Sequence, residues 1–225
     1  MDFKNVEKIV DNTLLKQTAT WADIKNFVLK SLPYHFRSLV IPPFAIEKVI
    51  HSSLSKNIPC FFSAVVGFPL GYTSIAIKCY EIDLYKNLDN ALSDLDVVIN
   101  INNVKSGNWN EIDQEMSELC KSAKGKILKL IIETPLLSYE EIEQVCRIAL
   151  NHKGIHFIKT STGFCGKDTT LQEVEVIAKT INGEKGIKVS GGVRNLAQIQ
   201  AFIDVGATIF GSSSGISIIE EARKR

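Results

Sequence analysis

His156-Phe157-Ile158-Lys159-Thr160-Ser161-Thr162-Gly163-Phe164 opens as a short β-branched and aromatic run and closes on glycine, so it reads as a strand passing into a turn. On a pleated strand Phe157, Lys159 and Ser161 share one face while Ile158 and Thr160 share the other. If both faces are covered, as in a parallel sheet, Lys159 has no simple route to water. A buried ammonium is costly unless it is paired or gives up its proton. The neutral amine that results can condense with a carbonyl. Taken alone, the same lysine also suits a strand end that reaches solvent, or a structural ion pair.

Outward from this stretch, strand-like and helix-like segments alternate without a linker. Thr170-x-x-Glu173 opens a capped helix with Val174, Ile177 and Ile181 inward, and Ser138-x-x-Glu141 caps one carrying Ile142, Val145 and Ala149. Thr20 with Asp23 starts a helix whose apolar stripe is Trp21, Ile24, Phe27 and Val28; Thr73 or Ser74 starts another, and Asn195-x-x-Gln198 caps a third that closes at Gly206. Strand candidates are Asn12–Leu15, Leu39–Ile41, Cys60–Val66, Asp96–Ile101, Ile127–Ile132, the quoted stretch, Ile187–Val189 and Thr208–Phe210. Each leads to a helix or to a turn before one. Eight such units predict one closed (β/α)₈ (TIM) barrel over residues 1–225. An open doubly wound sheet is the runner-up, disfavoured because no G-x-G-x-x-G follows the first strand.

Charge and composition narrow the function. With 26 Lys+Arg against 25 Asp+Glu, no broad basic footprint for nucleic acid is visible. Arg223-Lys224-Arg225 reads as a solvated helix end. No apolar run approaches a membrane span, and Met1-Asp2-Phe3-Lys4 lacks a signal-peptide core. Cys60, Cys79, Cys120, Cys146 and Cys165 never form a C-x-x-C pair, which predicts reduced thiols in the cytoplasm. No histidine stands beside Cys165, so it is read as non-catalytic. Nor is a metal site legible: Gly154 and the change to strand spoil the His152/His156 spacing, and His35 and His51 are isolated.

In a barrel, active sites lie at the carboxyl ends of the strands, with phosphate often held after strands seven and eight. Gly191-Gly192 and Gly211-Ser212-Ser213-Ser214-Gly215 occupy those two places. Glycine backbones, hydroxyls and the following helix can all donate to an anion; two tight turns without a ligand are the plainer alternative. Lys188 is a second lysine inside an apolar strand, one strand from Lys159. Two ammonium groups facing one cavity repel, so one should titrate low. Asp96, at the start of the fourth strand, is either a proton carrier, a strand-entry turn residue or a salt-bridge partner. Lys129 and Glu133 share a face of the fifth strand and read as a supporting ion pair.

Ile158-Lys159-Thr160-Ser161-Thr162-Gly163-Phe164, Lys188-Val189-Ser190-Gly191-Gly192-Val193-Arg194 and Gly211-Ser212-Ser213-Ser214-Gly215 resemble deoxyribose-phosphate aldolases. So do Gly67-Phe68-Pro69-Leu70-Gly71, Asp96-Val97-Val98-Ile99-Asn100-Ile101, Lys105-Ser106-Gly107 and Ile131-Ile132-Glu133-Thr134, in the right order from about Asp11 to Gly215. The resemblance implies a class I aldolase without cofactor or metal. Such an enzyme cleaves 2-deoxy-D-ribose 5-phosphate to D-glyceraldehyde 3-phosphate and acetaldehyde, in deoxyribonucleotide catabolism. It also implies Lys159 as the Schiff-base lysine, Lys188 as the second lysine and Asp96 as the proton carrier; Lys129 stays a supporting residue. Gly163, Gly191, Gly192, Ser213 and Ser214 match the phosphate site, and Asp11 and Thr13 match polar positions near it. Asn12 stands where many relatives have His, Val40 and Pro42 where they have Cys and Asn, and Val189 where they have Ala. The helix after Gly71 and the approach to strand four, residues 89–95, are atypical too. None of these changes removes a chemical group of the mechanism. Two other readings stay open: a Schiff-base or phosphosugar barrel enzyme with another aldehyde pair, and a barrel that binds a sugar phosphate without turnover. Dimeric or tetrameric assembly is also left open.

Overall fold

Parallel strands cannot be joined by a tight hairpin, so each needs a crossover, and here every crossover carries a helix. The computed structural model describes residues 3–52, 61–88 and 91–224. The expected strand start at Cys60, the Asp89–Asn90 approach to strand four, and Met1, Asp2 and Arg225 lie outside those residues. The strands are β1 (Val10–Thr13), β2 (Ser38–Val40), β3 (Phe62–Val66), β4 (Leu92–Val98), β5 (Ile127–Ile131), β6 (Ile155–Lys159), β7 (Gly186–Val189) and β8 (Ile209–Ser212). All pair in parallel in sequence order, and β8 returns to β1 to close the barrel.

The helices are α1 (Trp21–Ser31), α2 (Pro43–Ile50), α3 (Ile75–Lys86), α4 (Ile101–Lys105), α5 (Trp109–Ser122), α6 (Tyr139–Leu150), α7 (Leu171–Ile181), α8 (Leu196–Asp204) and α9 (Gly215–Arg223). The capping boxes of α1, α6 and α7 form as read, with Thr20, Ser138 and Thr170 each accepting from the third residue on. Trp21 departs from its expected inward place: it is 40% exposed at the first turn of α1, while Ile24 and Val28 are buried. The apolar core lies between the barrel's outer face and these helices, with Ile158, Val189 and Phe210 meeting Val174, Ile177 and Ile199 in one buried cluster. Val189 therefore serves the helix layer, on the strand face opposite Lys188.

Most strand ends move by one or two residues from the expected ones, and two shifts, in β1 and β4, bear on the site. β1 starts at Val10, which places Asp11 and Thr13 on the inward face. β4 starts at Leu92, so Asp96 lies in its carboxyl-terminal half rather than at its start. Asn100 then accepts from the Asn103 N–H and caps the short α4, which takes Ile101 out of the expected strand. Among the described residues, no helix is long and apolar enough to cross a membrane.

Candidate active site

Register places the charged side chains. Asp96 sits beside Lys129, and Lys159 beside Lys188, so all four point into the barrel. Barrel interiors are commonly filled by branched apolar residues. This one is not. Asp11, Asp94, Asp96, Lys129, Lys159 and Lys188 are all buried within it. Lys159 Nζ and Lys188 Nζ both donate to Asp96 Oδ2, at 2.8 and 2.7 Å, and Lys129 Nζ donates to Asp96 Oδ1 at 2.9 Å. Asp11 Oδ2 also accepts from Lys188, and its Oδ1 accepts from Arg37 at 2.7 Å. Asp94 is paired with Lys129 and with Arg37.

The expected pair of Lys129 with Glu133 is not made. Lys129 is taken up by Asp94, Asp96 and Asp11. Glu133 lies beyond the end of β5 in the left-handed region, with φ of 52°. There it accepts from the Ser161 hydroxyl and from both the N–H and the hydroxyl of Thr162, fixing the loop after β6.

Charge counting singles out Lys159. Among the described residues, Arg37, Lys129, Lys159 and Lys188 pair with three carboxylates, Asp11, Asp94 and Asp96. The cluster is neutral when one cation gives up its proton. Lys188 holds two carboxylates and Lys129 three, whereas Lys159 holds one and shares that oxygen. Burial pushes the Lys159 ammonium down to about 8; Lys188 and Lys129 add to the fall, and Asp96 opposes it. Burial is the larger cause, ahead of the repulsion expected from the second lysine. Burial alone would raise Asp96, but Lys129, Lys159 and Lys188 outweigh it and hold the carboxyl well below its usual range. Lys129 is held above its ordinary value: burial works against the charge, and Asp96, Asp11 and Asp94 overcome it.

Above this layer the mouth divides into two halves. On β2 to β5, Val40, Val65, Val98 and Ile131 are buried beside Ser63, Asp96 and Lys159 in register, an apolar wall next to the amine. On β6 to β8 a cavity of about 530 Å³ runs from Lys159 to Gly163, Gly191, Gly192 and Ser213, with Thr13, Lys16 and Arg194 also lining it. Gly192 has φ of 93°, and a Cβ there would lie 2.7 Å from Asp168 Cγ, so only glycine fits this turn. A Cβ on Gly211 would lie 2.3 Å from Ser190 Oγ, so glycine on β8 leaves room for Ser190 next to the second lysine.

The sequence-predicted residues converge, with one distinction. Lys159, Gly163, Gly191, Gly192, Ser213 and Thr13 line the cavity; Asp96, Lys188, Asp11 and Lys129 form its charged floor. Ser214 does not line it. That residue immediately precedes α9, and its N–H donates to Ser212 Oγ. Arg37, Asp94, Lys16 and Arg194 escaped the sequence reading. Asp94 had a signal, since Asp94-Leu95-Asp96 puts two carboxylates on one strand face. The histidines stay apart: His152 bonds Asp113, and His156 accepts from the Leu128 N–H. Among the described residues, no three His, Cys, Asp or Glu form a group that could hold a metal ion.

No family model matches the chain. Comparison with curated proteins gives a clear relation: a deoxyribose-phosphate aldolase of Staphylococcus epidermidis is 36% identical over 216 residues, covering 96% of each chain. The chain belongs to the deoxyribose-phosphate aldolase family. Solved structures agree with the membership. One described as "QR15, an Aldolase" has 35% identity and a TM-score of 0.89, covering 99% of this chain and 97% of its own. The tetrameric deoxyribose phosphate aldolase of Aeropyrum pernix has 26% identity and a TM-score of 0.82, covering 97% and 91%.

Proposed function

We propose that this member of the deoxyribose-phosphate aldolase family cleaves 2-deoxy-D-ribose 5-phosphate, reversibly, to D-glyceraldehyde 3-phosphate and acetaldehyde through a Schiff base on Lys159. The observation that carries the reading is the position of Lys159: the surplus cation of a buried cluster, at the floor of a cavity whose far wall is the Gly/Ser loops. With its ammonium lowered to about 8, roughly a tenth of the side chain is free amine at pH 7. That amine attacks the aldehyde carbon, and loss of water leaves a protonated imine as electron sink.

Asp96 supports this step by staying ionised, because its carboxylate oxygen lies 2.8 Å from the nitrogen that becomes the imine cation. Lys188, on the same oxygen, and Asp96 pass on the proton taken, through water, from the hydroxyl beside the breaking carbon–carbon bond. Glyceraldehyde 3-phosphate leaves, and protonation of the enamine followed by hydrolysis frees acetaldehyde. The apolar wall of Val40, Val65, Val98 and Ile131 suits the two-carbon fragment, and the Gly191, Gly192 and Ser213 side suits the phosphate. Phosphate binding then positions the reacting end. Location in the cytoplasm, a place in deoxyribonucleotide catabolism and assembly into dimers or tetramers belong to the same reading; light scattering tests the last. Incubation with deoxyribose 5-phosphate and identification of both products tests the activity. Absence of acetaldehyde, or a different aldehyde pair, refutes it.

A further inference from the structure

The chemistry at Lys159 makes no direct use of Arg37, yet the fold builds a place for it. Arg37 precedes β2 at the amino-terminal end of the barrel, away from the cavity, and its N–H donates to the carbonyls of Glu7 and Val10. Its guanidinium donates to Asp11 Oδ1 at 2.7 Å and to Asp94 Oδ2 at 2.6 Å, and lies 5.9 Å from the centre of the Phe157 ring. Gly186 admits that ring, since a Cβ there would come within 2.2 Å of it. Arg37 is thus sandwiched between two buried carboxylates and an aromatic face.

Two contact chains lead from it to the amine. One runs through Asp94, Lys129 and Asp96; the other through Asp11, Lys188 and Asp96. We infer that Arg37 is a distal positioning residue that favours the free-amine form of Lys159, by supplying a permanent positive charge to the carboxylates that would otherwise favour a third ammonium. A guanidinium suits this role because it does not deprotonate in proteins. Its proton is held further by Asp11 and Asp94, which overcome the opposing effect of burial. This inference rests on Lys159 being the reacting amine.

Lys159 is faced by Asp96 of β4, Lys188 of β7 and Lys129 of β5, with Asp11 and Asp94 beneath. On the cavity side stand Lys16, Lys167, Asp168 and Arg194, with Glu133 at the end of β5. Only Arg37 and Asp94 are altered in the test. As a general scale, two unit charges about 10 Å apart at an effective dielectric of about 20 displace each other's titration by about one pH unit.

The experiment follows adduct formation on Lys159 with acetaldehyde and cyanoborohydride across pH 6–10, by peptide mass mapping, for the unmodified chain, R37Q, R37K, D94N and R37Q/D94N. Loss of the cation should move the midpoint of R37Q up by about one unit and slow trapping at pH 7 roughly tenfold. Loss of the anion should move D94N down by a similar amount, and the double variant should return close to the unmodified chain. R37K should stay near the unmodified midpoint. A merely structural role would not give shifts of opposite sign. If R37Q does not fold, R37Q/D94N compared with D94N isolates the cation: its midpoint should lie about one unit higher, and coincident midpoints overturn the inference. An unmoved D94N overturns it. Midpoints that coincide in all variants, with Lys159 still trapped, overturn the role of Arg37 and leave the aldolase reading standing. No adduct on Lys159 in the unmodified chain overturns both.

Discussion

Replacing Lys159 by Met should abolish turnover and make the fold more stable, by an amount that depends on pH. Lys159 is buried, and its ammonium is lowered from 10.5 to about 8 in the folded chain. The folded state therefore binds fewer protons than the unfolded state between about pH 8 and 10.5, and stability rises with pH across that window. Below pH 8 the unmodified chain carries the full penalty of a charge the fold disfavours. Each unit of displacement corresponds to about 1.4 kcal/mol, so the penalty is about 3 kcal/mol at pH 7 and about half of that at pH 9.5. Methionine fills nearly the same volume without charge, leaving Asp96 its partners Lys188 and Lys129. Urea unfolding of both proteins at pH 7 and 9.5 measures the difference. The K159M gain should be larger at pH 7 by about 1–2 kcal/mol. A gain independent of pH, or a K159M chain less stable at pH 7 than at pH 9.5 relative to the parent, would refute an ammonium disfavoured by burial.

Lys188→Leu should keep the barrel folded and lower kcat by on the order of two or more decades. Because a positive neighbour of Lys159 is lost, the acid limb of its residual pH–rate profile should move upward; a normal rate with an unmoved limb would make Lys188 structural. Ser213→Ala should lower kcat/KM for deoxyribose 5-phosphate by about 10–100-fold, the worth of one hydrogen bond to a charged group, and leave unphosphorylated deoxyribose nearly unaffected. Ser214→Ala should cost less, since Ser213 lines the cavity and Ser214 does not; equal losses on both sugars would assign these serines to the fold. Exhaustive chelation should leave activity intact, and a loss restored by a divalent ion would contradict the lysine mechanism.

The barrel was legible because its signals are local: capping residues at Thr20, Ser138 and Thr170, glycines after strands, and eight strand-like runs in order. The lysines were legible because a charge inside an apolar strand is costly and therefore conspicuous. What stayed hidden was pairing across the barrel. Lys129 and Glu133 are close in sequence, and the strand period puts them on one face. The backbone turns left-handed at Glu133, though, and three aspartates from β1 and β4 claim the lysine. Arg37 escaped because nothing in Phe36-Arg37-Ser38 tells an inward arginine from an exposed one. Only barrel closure brings Asp11 and Asp94 to it. Asp96 was placed too early in its strand because the polar residues Ser93 and Asp94 look like a loop, yet they lie in β4.

The central claim is that Lys159 is the amine that attacks the substrate. It is tested most directly by incubation with deoxyribose 5-phosphate and borohydride near pH 8, followed by peptide mapping. A two-carbon or five-carbon fragment should be fixed on Lys159 and on no other lysine in comparable yield. Label spread over surface lysines with Lys159 unmodified, or label concentrated on Lys188, would contradict it.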